Sequence, residues 1–271
     1  MKSLDTGNPL ISVIMPTYNH AKFIGKAIES VLNQTYKNLE LIIIDNYSED
    51  DTEKIVASYK DDRIIYLKFR NNGIIAASRN HGIKHSNGVY IAFLDSDDLW
   101  DNNKLAMQLA FMREHNLNFC STLTRYISSN DSALKKTIPE KIVDEILSPG
   151  TSSIRHLIRR NFIDLSSALV ERQFLGAFLF DEDPLLVAAE DLFLWLELFY
   201  RKTCKFKLLK KELVSYRVLD NSAINRHNKT KHRAKKEYCL SKFALKYTDK
   251  RILSEINKLS GVKYLKRKFF G

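Results

Sequence analysis

The stretch that decides the fold is Tyr90-Ile91-Ala92-Phe93-Leu94-Asp95-Ser96-Asp97-Asp98, an apolar run that ends in three carboxylates within four residues. Carboxylates held close together repel one another and raise one another's pKa, so such a cluster favours a bound cation. Oxygen ligands suit Mg²⁺ or Mn²⁺, which complete their coordination with water and with phosphate oxygens of a substrate. The alternative is a solvated turn in which Asp98 or Asp101 caps a helix that begins near Asn102.

Strand and helix patterns alternate upstream of this run. Apolar, β-branched segments predict strands at residues 10–15, 39–44, 63–69 and 89–94, with Pro16 ending the first. Helical spacing of apolar residues predicts helices at residues 22–34, 51–60, 75–85 and 102–112. Short connections between alternating strands and helices predict right-handed crossovers. The class is therefore α/β, a Rossmann-like, mostly parallel sheet with helices on both faces.

Polar residues follow three of the predicted strands, where ligands bind in open α/β sheets. The first two groups are Pro16-Thr17-Tyr18-Asn19 and Asp45-Asn46-Tyr47-Ser48, and the third is the acidic run. A tyrosine for stacking, an Asp or Asn for a base edge and a metal for phosphates predict a nucleotide site. The sequence has neither a Gly-x-Gly-x-x-Gly fingerprint nor a P-loop, so a metal and basic side chains must hold the phosphates.

Cysteine usage and hydropathy indicate a cytosolic protein. The three cysteines, Cys120, Cys204 and Cys239, are far apart and suggest neither a disulfide framework nor a zinc site. Residues 1–9 have no apolar signal-peptide core, and the apolar stretch near residues 192–200 contains Glu197 and is too short to span a bilayer. We therefore expect no membrane-spanning segment.

Charge is distributed unevenly along the chain. Residues 199–271 contain 22 Lys and Arg against 5 Asp and Glu, a net charge of +17, whereas residues 1–198 contain 21 against 27, a net charge of −6. The asymmetry predicts a catalytic body with a basic appendage that meets an anionic partner, either lipid headgroups or nucleic acid. Helical spacing predicts basic helices at residues 229–246 and 251–268.

The segment between the acidic run and the tail has a weaker pattern. Residues 128–149 suggest a polar loop, a candidate lid or acceptor-binding element, and residues 152–160 suggest a helix. A strongly apolar helix at residues 189–201 opens with Glu190-Asp191. Carboxylates in the first turn of a helix can also reflect favourable interaction with the helix dipole alone.

Taken in order, these segments resemble the family 2 (GT2) inverting glycosyltransferases, which have the GT-A fold. The motifs that carry the resemblance span about residues 10–220: Ser12-Val13-Ile14-Met15-Pro16-Thr17-Tyr18-Asn19, Ser30-Val31-Leu32-Asn33-Gln34-Thr35-Tyr36, Asn72-x-Gly followed by Ser78-Arg79-Asn80, and Phe93-Leu94-Asp95-Ser96-Asp97-Asp98. The resemblance implies that Asp95-Ser96-Asp97 contacts the ribose and binds the metal. Asp97 is the expected direct ligand, with Asp95 supporting it.

Further roles are implied by the same resemblance. Glu190-Asp191 matches a Glu-Asp pair whose aspartate is the general base, and Arg79 is expected near the nucleotide or its phosphates. Many relatives have Asp-Asp-Gly-Ser where this chain has Asp45-Asn46-Tyr47-Ser48, and many have a histidine where this chain has Leu219. Possible supporting residues are Asp98, Glu190 and His227.

The sequence thus predicts a glycosyltransferase domain at residues 1–220, with a nucleotide-sugar part at about 10–112 and an acceptor part at about 113–220. Residues 221–271 form a basic helical tail that contacts a membrane surface. The expected reaction transfers a hexose, glucose or galactose, from a UDP-sugar with Mg²⁺ or Mn²⁺ and makes a β-linkage. The expected acceptor is an undecaprenyl-diphosphate-linked GlcNAc or GalNAc, or a growing glycan, in O-antigen, lipopolysaccharide or capsule synthesis. The enzyme would be peripheral on the cytoplasmic face of the inner membrane.

Two alternatives remain at this stage. A sugar nucleotidyltransferase also combines an α/β nucleotide fold with acidic metal ligands, but no Gly-rich activation loop follows the first strand. A non-catalytic nucleotide-sugar or nucleic-acid binding protein would use the basic tail as its working surface. Aromatic residues of the tail, Tyr238, Phe243, Tyr247 and Tyr264, have helical spacing, which favours core packing over nucleic-acid binding.

Overall fold

The computed structural model describes residues 7–134, 153–219, 229–248 and 253–254. The strands are β1 Ile11–Thr17, β2 Leu39–Asp45, β3 Ile64–Lys68, β4 Tyr90–Phe93, β5 Leu99–Trp100, β6 Phe119–Ile127, β7 Ala133–Leu134, β8 Leu169–Glu171 and β9 Phe206–Arg217. The helices are α1 Ala21–Leu32, α2 Thr52–Ser58, α3 Ile75–Lys84, α4 Lys104–Glu114, α5 Ser153–Arg159, α6 Arg172–Leu175, α7 Glu190–Tyr200 and α8 Lys229–Tyr247. Short 3₁₀ turns lie at Leu165–Ser167 and Pro184–Leu186. Among the described helices, none combines the length and apolar character that crossing a membrane requires.

The strands form one sheet in the order β3-β2-β1-β4-β8-β6-β9-β5, with β7 paired to β6. Strands β3, β2, β1 and β4 are parallel neighbours, as the alternation of strands and helices predicts. Alternate residues of these strands enter two apolar clusters, one with α1 and α4 and the other with α3, α7 and α8. The predicted α/β architecture, with helices on both faces of the sheet, is confirmed.

The second half of the sheet is mixed, and the sequence did not indicate it. Strand β8 runs antiparallel to both β4 and β6, β5 runs antiparallel to β9, and β6 and β9 are parallel. Strand β6 places Ser121, Thr122 and Thr124 in buried positions, so it lacks the apolar run that marks a buried strand. The predicted loop at residues 128–149 is interrupted by β7, and residues 135–149 lie outside the described residues.

Strand β1 does not end before Pro16, as the sequence suggested, but continues to Thr17. The Ile14 carbonyl accepts from the Leu94 N–H toward β4, and the Thr17 carbonyl accepts from the Asn46 N–H toward β2. Pro16, two residues after Ile14, faces the β4 side, where β4 has already ended at Phe93. The missing N–H of proline therefore interrupts no ladder.

Helix α8 is part of the main core, although the sequence placed it in a separate tail that starts at residue 221. Cys239, Leu240, Phe243 and Ala244 are buried within the cluster that includes α3 and α7. On one flank of α8, the Lys242 ammonium pairs with Asp181 at 2.7 Å and with Asp183 at 2.8 Å, two residues that precede the Pro184–Leu186 turn. The Lys246 ammonium pairs with Glu197 of α7. The C-terminal basic helix is thus docked on the body by both apolar and ionic contacts.

The start of β4 tolerates only glycine at position 88. A Cβ atom on Gly88 would lie 2.5 Å from the Ser12 backbone nitrogen and 2.8 Å from the Tyr90 carbonyl oxygen. We expect Gly88→Ala to lower the free energy of unfolding by about 1–3 kcal/mol, because backbone atoms must move to make room. Urea unfolding checks this, with Gly7→Ala as the control, since no atom lies within 4 Å of a Cβ there. Equal stability of the two variants would contradict the close approach.

Candidate active site

The acidic run forms a tight turn immediately after β4. The Asp98 N–H donates to the Asp95 carbonyl at 2.9 Å, which closes the turn. Asp98 is 1% exposed, and its carboxylate accepts from the Ser166 hydroxyl at 2.6 Å and from the Arg217 N–H at 2.9 Å. Asp98 therefore stabilises the turn through buried hydrogen bonds to Ser166 and Arg217.

The alternative reading, in which Asp98 or Asp101 caps the next helix, is wrong for Asp98. Helix α4 begins at Lys104 after Asn103, whose side chain makes no capping hydrogen bond. The Asp101 carboxylate accepts from the Asn103 N–H at 3.0 Å and so caps the turn that leads into α4. Because Asp98 bonds to β9 and to the Leu165–Ser167 turn instead, the acidic run is anchored to the sheet and not to α4.

Arg217, at the end of β9, fixes the turn from the other side. Its Nε donates to the Asp97 carbonyl at 2.8 Å and its Nη1 donates to the Ser128 carbonyl at 2.9 Å. The guanidinium is 1% exposed and also pairs with Asp131 at 2.6 Å. These contacts hold the backbone of the Asp95–Asp98 turn, so the carboxylates of Asp95 and Asp97 have a defined direction.

Asp97 and Asp95 are the carboxylates that fit a divalent cation. Burial, followed by repulsion from Asp95, raises the pKa of Asp97 to about 6. A cation would favour the ionised form and oppose this shift. No cluster of three or more His, Cys, Asp or Glu side chains suited to a metal occurs among the described residues. The carboxylates of Asp95 and Asp97 are oxygen ligands that suit Mg²⁺ or Mn²⁺, and water and substrate phosphates would fill the other coordination positions of the ion.

Arg79, on α3, bridges two carboxylates that come from distant parts of the chain. Its Nη1 donates to Glu190 at 2.6 Å and its Nη2 donates to Asp95 at 2.9 Å. The residue is 3% exposed. The sequence places Arg79 near the nucleotide or its phosphates, and its contact with Asp95 puts it beside the predicted nucleotide site. Arg79 also links the acidic turn to the start of α7.

Asp191, the predicted general base, follows Glu190 in the first turn of α7. Burial and then repulsion from Glu190 raise its pKa to about 7. The Asn161 amide donates to its carboxylate at 2.9 Å, and the nearby Arg79 charge opposes the upward shift. A carboxylate with a pKa near neutrality is suited to accept a proton during a reaction.

The nucleotide-site residues lie at the ends of β1 and β2, which are parallel neighbours with Thr17 opposite Asp45. Tyr18 is 48% exposed, as a ring that stacks on a base must be. The hydroxyl of Thr17 is buried and has no hydrogen-bond partner within the described chain, so a ligand can supply one.

Further contacts shape this edge. The two strand-end loops are joined because the Asn19 N–H donates to the Ser48 hydroxyl at 2.9 Å. Asp45 is fully buried and accepts from the Ser48 N–H and hydroxyl, at 2.9 and 2.6 Å. The Asn46 side-chain oxygen accepts from the Asn71 N–H at 2.8 Å. Asp45 and Asn46 therefore shape the loop as well as line it.

Several residues of the site were not identified from the sequence. Ser166 bonds to Asp98 and accepts from the Asp95 N–H at 3.2 Å, and Asn161 bonds to Asp191. Ser96 was predicted, and its hydroxyl shares a hydrogen bond of 2.7 Å with His20 Nδ1. Local pattern carries no signal for Ser166 or Asn161, because each acts through a partner 30 or more residues away. His227 lies outside the described residues.

Comparisons with known proteins agree with this geometry. Residues 12–170 match the family model described as Glycosyl transferase family 2. The Escherichia coli protein named UDP-Glc:alpha-D-GlcNAc-diphosphoundecaprenol beta-1,3-glucosyltransferase WfgD is 35% identical over 189 residues, which are 70% of this chain and 69% of that protein.

Two solved structures share the fold. S. aureus TarS 1-349 in complex with UDP-GlcNAc has a TM-score of 0.72 and 19% identity, over 95% of this chain and 77% of that one. The mannosyltransferase PcManGT from Pyrobaculum calidifontis, in complex with GDP-Man and Mn²⁺, has a TM-score of 0.68 and 18% identity, over 94% of this chain and 70% of that one.

Proposed function

Since this chain belongs to glycosyl transferase family 2 and is a glycosyltransferase, we propose that it transfers a hexose from a UDP-sugar to a lipid-linked sugar acceptor. The observation that supports this most strongly is the Arg79 bridge. It connects Asp95, in the metal-binding turn, to Glu190, the neighbour of the base Asp191. A donor held at the turn is thereby brought next to a carboxylate that can activate an acceptor.

The donor side uses the ends of β1, β2 and β4. Tyr18 stacks on the base, while Thr17 and Asn46 contact its polar edge. Asp97, supported by Asp95, would hold Mg²⁺ or Mn²⁺; Mn²⁺ accompanies the donor in the mannosyltransferase of similar fold. When bound, the ion neutralises charge that develops on the leaving diphosphate. Arg217 and Asp98 keep the two carboxylates aimed at the diphosphate.

The acceptor side uses Asp191. The acceptor hydroxyl gives its proton to the Asp191 carboxylate as its oxygen forms a bond to the anomeric carbon. The bond from that carbon to the diphosphate oxygen breaks, and the electron pair leaves with UDP. Attack from the face opposite the leaving group inverts the configuration and produces a β-linkage from an α-linked donor. Asn161 orients the carboxylate for this step.

The acceptor is, in this proposal, a GlcNAc or GalNAc linked through a diphosphate to undecaprenol; the name of the E. coli relative gives GlcNAc-diphosphoundecaprenol as the acceptor of that protein. Glucose or galactose is the transferred sugar. The enzyme works at the cytoplasmic face of the inner membrane, in the synthesis of O-antigen or a related glycan. Basic residues of the C-terminal region contribute on the order of 1 kcal/mol each near an anionic leaflet.

Product formation tests the proposal. The native chain is incubated with Mn²⁺, a panel of UDP- and GDP-sugars and a synthetic GlcNAc-diphosphate-lipid acceptor. Transfer from a UDP-hexose, with a β-linkage in the product, is the expected result. If folded protein neither transfers nor hydrolyses any donor, the proposed function is wrong and a binding role replaces it.

Asp97→Ala is expected to weaken UDP binding in the presence of Mn²⁺ by at least about tenfold, because the direct metal ligand is lost. Calorimetric titration of UDP with and without Mn²⁺ measures this. Asp101→Ala is the control, since that carboxylate lies outside the acidic turn and, within the described residues, accepts from the Asn103 N–H. Metal-dependent UDP binding that persists in Asp97→Ala would exclude Asp97 as the ligand.

A further inference from the structure

A group of basic residues lies beside the catalytic carboxylate on the acceptor side. Arg159 and Arg160 stand at the end of α5, and Lys236 of α8 donates from Nζ to the Arg159 carbonyl at 2.7 Å. The next residue, Asn161, donates to Asp191 at 2.9 Å. Three consecutive residues, 159–161, therefore include both arginines of the basic group and the asparagine that contacts the proposed base.

The Arg160 charge acts on the Asp164 carboxyl, but no carboxylate of the described residues forms an ion pair with this group. Three other cations of α8 are paired: Arg233 with Glu237, Lys242 with Asp181 and Asp183, and Lys246 with Glu197. By contrast, neither Arg160 nor Lys236 forms an ion pair in the part of the chain that the structure covers. Burial and the Arg160 charge both lower the pKa of Lys236. Two cations that repel each other favour an anion between them.

The position of Arg160 connects this group to the reaction site. Its charge opposes the rise in pKa that burial causes at the Asp164 carboxyl and at the Tyr126 hydroxyl. The charge of Asp98, in the acidic turn, adds to the rise at Tyr126. The Arg160 charge thus acts on Asp164 and on Lys236 of α8.

We propose that Arg160 and Lys236 bind the diphosphate of the acceptor and so make this enzyme selective for diphosphate-linked sugars. The inference rests on the proposed function and names the group that its acceptor must carry. A guanidinium presents paired donors to phosphate oxygens, and an ammonium adds a point charge. The acceptor hydroxyl has to reach Asp191, and Asn161, which contacts Asp191, directly follows Arg160 in the chain.

Two acceptors that differ only in their linkage test the inference in the full-length chain. One carries GlcNAc on a diphosphate and a phenoxyundecyl chain; the other carries GlcNAc as a neutral alkyl glycoside of equal length. Arg160→Gln and Lys236→Gln are each expected to raise KM for the diphosphate acceptor roughly tenfold, the loss of about one charge-assisted hydrogen bond. KM for the neutral acceptor and for the UDP-sugar stays unchanged, and Arg160→Lys recovers part of the loss.

Arg233→Gln is the matched control, because that arginine is on α8 but paired with Glu237. It should change neither KM. An increase in donor KM in Arg160→Gln would show that the group binds the donor diphosphate instead and would overturn the inference. Equal losses with the charged and the neutral acceptor would overturn it as well.

Direct binding separates this inference from the proposed function. Calorimetric titration of the diphosphate acceptor, with no donor present, requires no turnover. Binding by the native chain that weakens in Arg160→Gln supports the inference even if no donor is used. No binding of the diphosphate acceptor by the native chain overturns it. Transfer to both acceptors with the same KM would leave the proposed function intact but would overturn the inference about the diphosphate.

Discussion

Asp191→Asn is expected to lower kcat by roughly 10²–10⁴-fold, the contribution of a positioned general base. The amide keeps the size of the side chain but cannot accept the acceptor proton. The donor site, built from β1, β2 and the Asp95–Asp98 turn, does not include Asp191, so UDP affinity should stay unchanged. Initial rates at saturating donor and acceptor, together with UDP titration, measure the two effects separately.

The pH dependence of the native enzyme provides a second readout of the same residue. Burial raises the pKa of Asp191 to about 7, and only the ionised form accepts a proton. The rate should therefore rise with pH and level off above about 7, falling about tenfold per unit below that value. In Asp191→Asn this limb should vanish from the residual activity. An Asn variant with native kcat would exclude Asp191 as the base.

Phe243→Ala is expected to lower the free energy of unfolding by about 3–5 kcal/mol, typical of a large aromatic side chain removed from a core. Phe243 is fully buried, and its ring packs against Phe193 of α7 at a centroid distance of 6.3 Å and against Tyr200 at 5.9 Å. Its loss leaves a cavity between α8 and α7, and α7 is the helix that carries Asp191. Urea unfolding of the full chain measures the change.

Leu245→Ala is the matched control, because Leu245 is on the same helix but 53% exposed. Its effect should stay within about 0.5 kcal/mol. Similar small effects of both substitutions would mean that α8 is an appendage, as the sequence first suggested. If Phe243→Ala is as destabilising as expected, removing the C-terminal region also removes part of the catalytic body. Membrane binding is then better tested by single charge substitutions than by truncation.

The parallel half of the fold could be predicted because each of its strands is a continuous apolar run with a helix after it. Ile42, Ile43 and Ile44 are examples, with all three side chains buried. The other half could not, for two reasons. Strand β8 has three residues, and β6 carries hydroxyl side chains in the interior. Their pairing is decided by contacts with strands far away in the sequence, for which local periodicity has no signal.

The same division applies to the site. Asp95, Asp97 and Asp191 were predicted because short motifs carry them. Arg79 and Glu190 were named as well, but the bridge between Asp95 and Glu190 was not predicted, because an arginine on a helix surface and one that bridges two carboxylates have the same local sequence. Arg79 meets Glu190 across 111 positions of the chain. The docking of α8 was missed for a similar reason, since Lys242 and Lys246 read as solvated charges until Asp181, Asp183 and Glu197 are placed beside them.

The Arg79 bridge limits how this enzyme can be recombined with its relatives. In the division predicted from the sequence, Arg79 lies in the nucleotide-sugar part and Glu190 in the acceptor part, and the two form a buried ion pair. A hybrid that joins residues 1–112 to a foreign acceptor part without a glutamate at the position of Glu190 would leave a buried guanidinium with half of its partners. Breaking a buried ion pair in this way is strongly destabilising. Exchange of acceptor specificity between family members therefore requires that the arginine and the glutamate be inherited together.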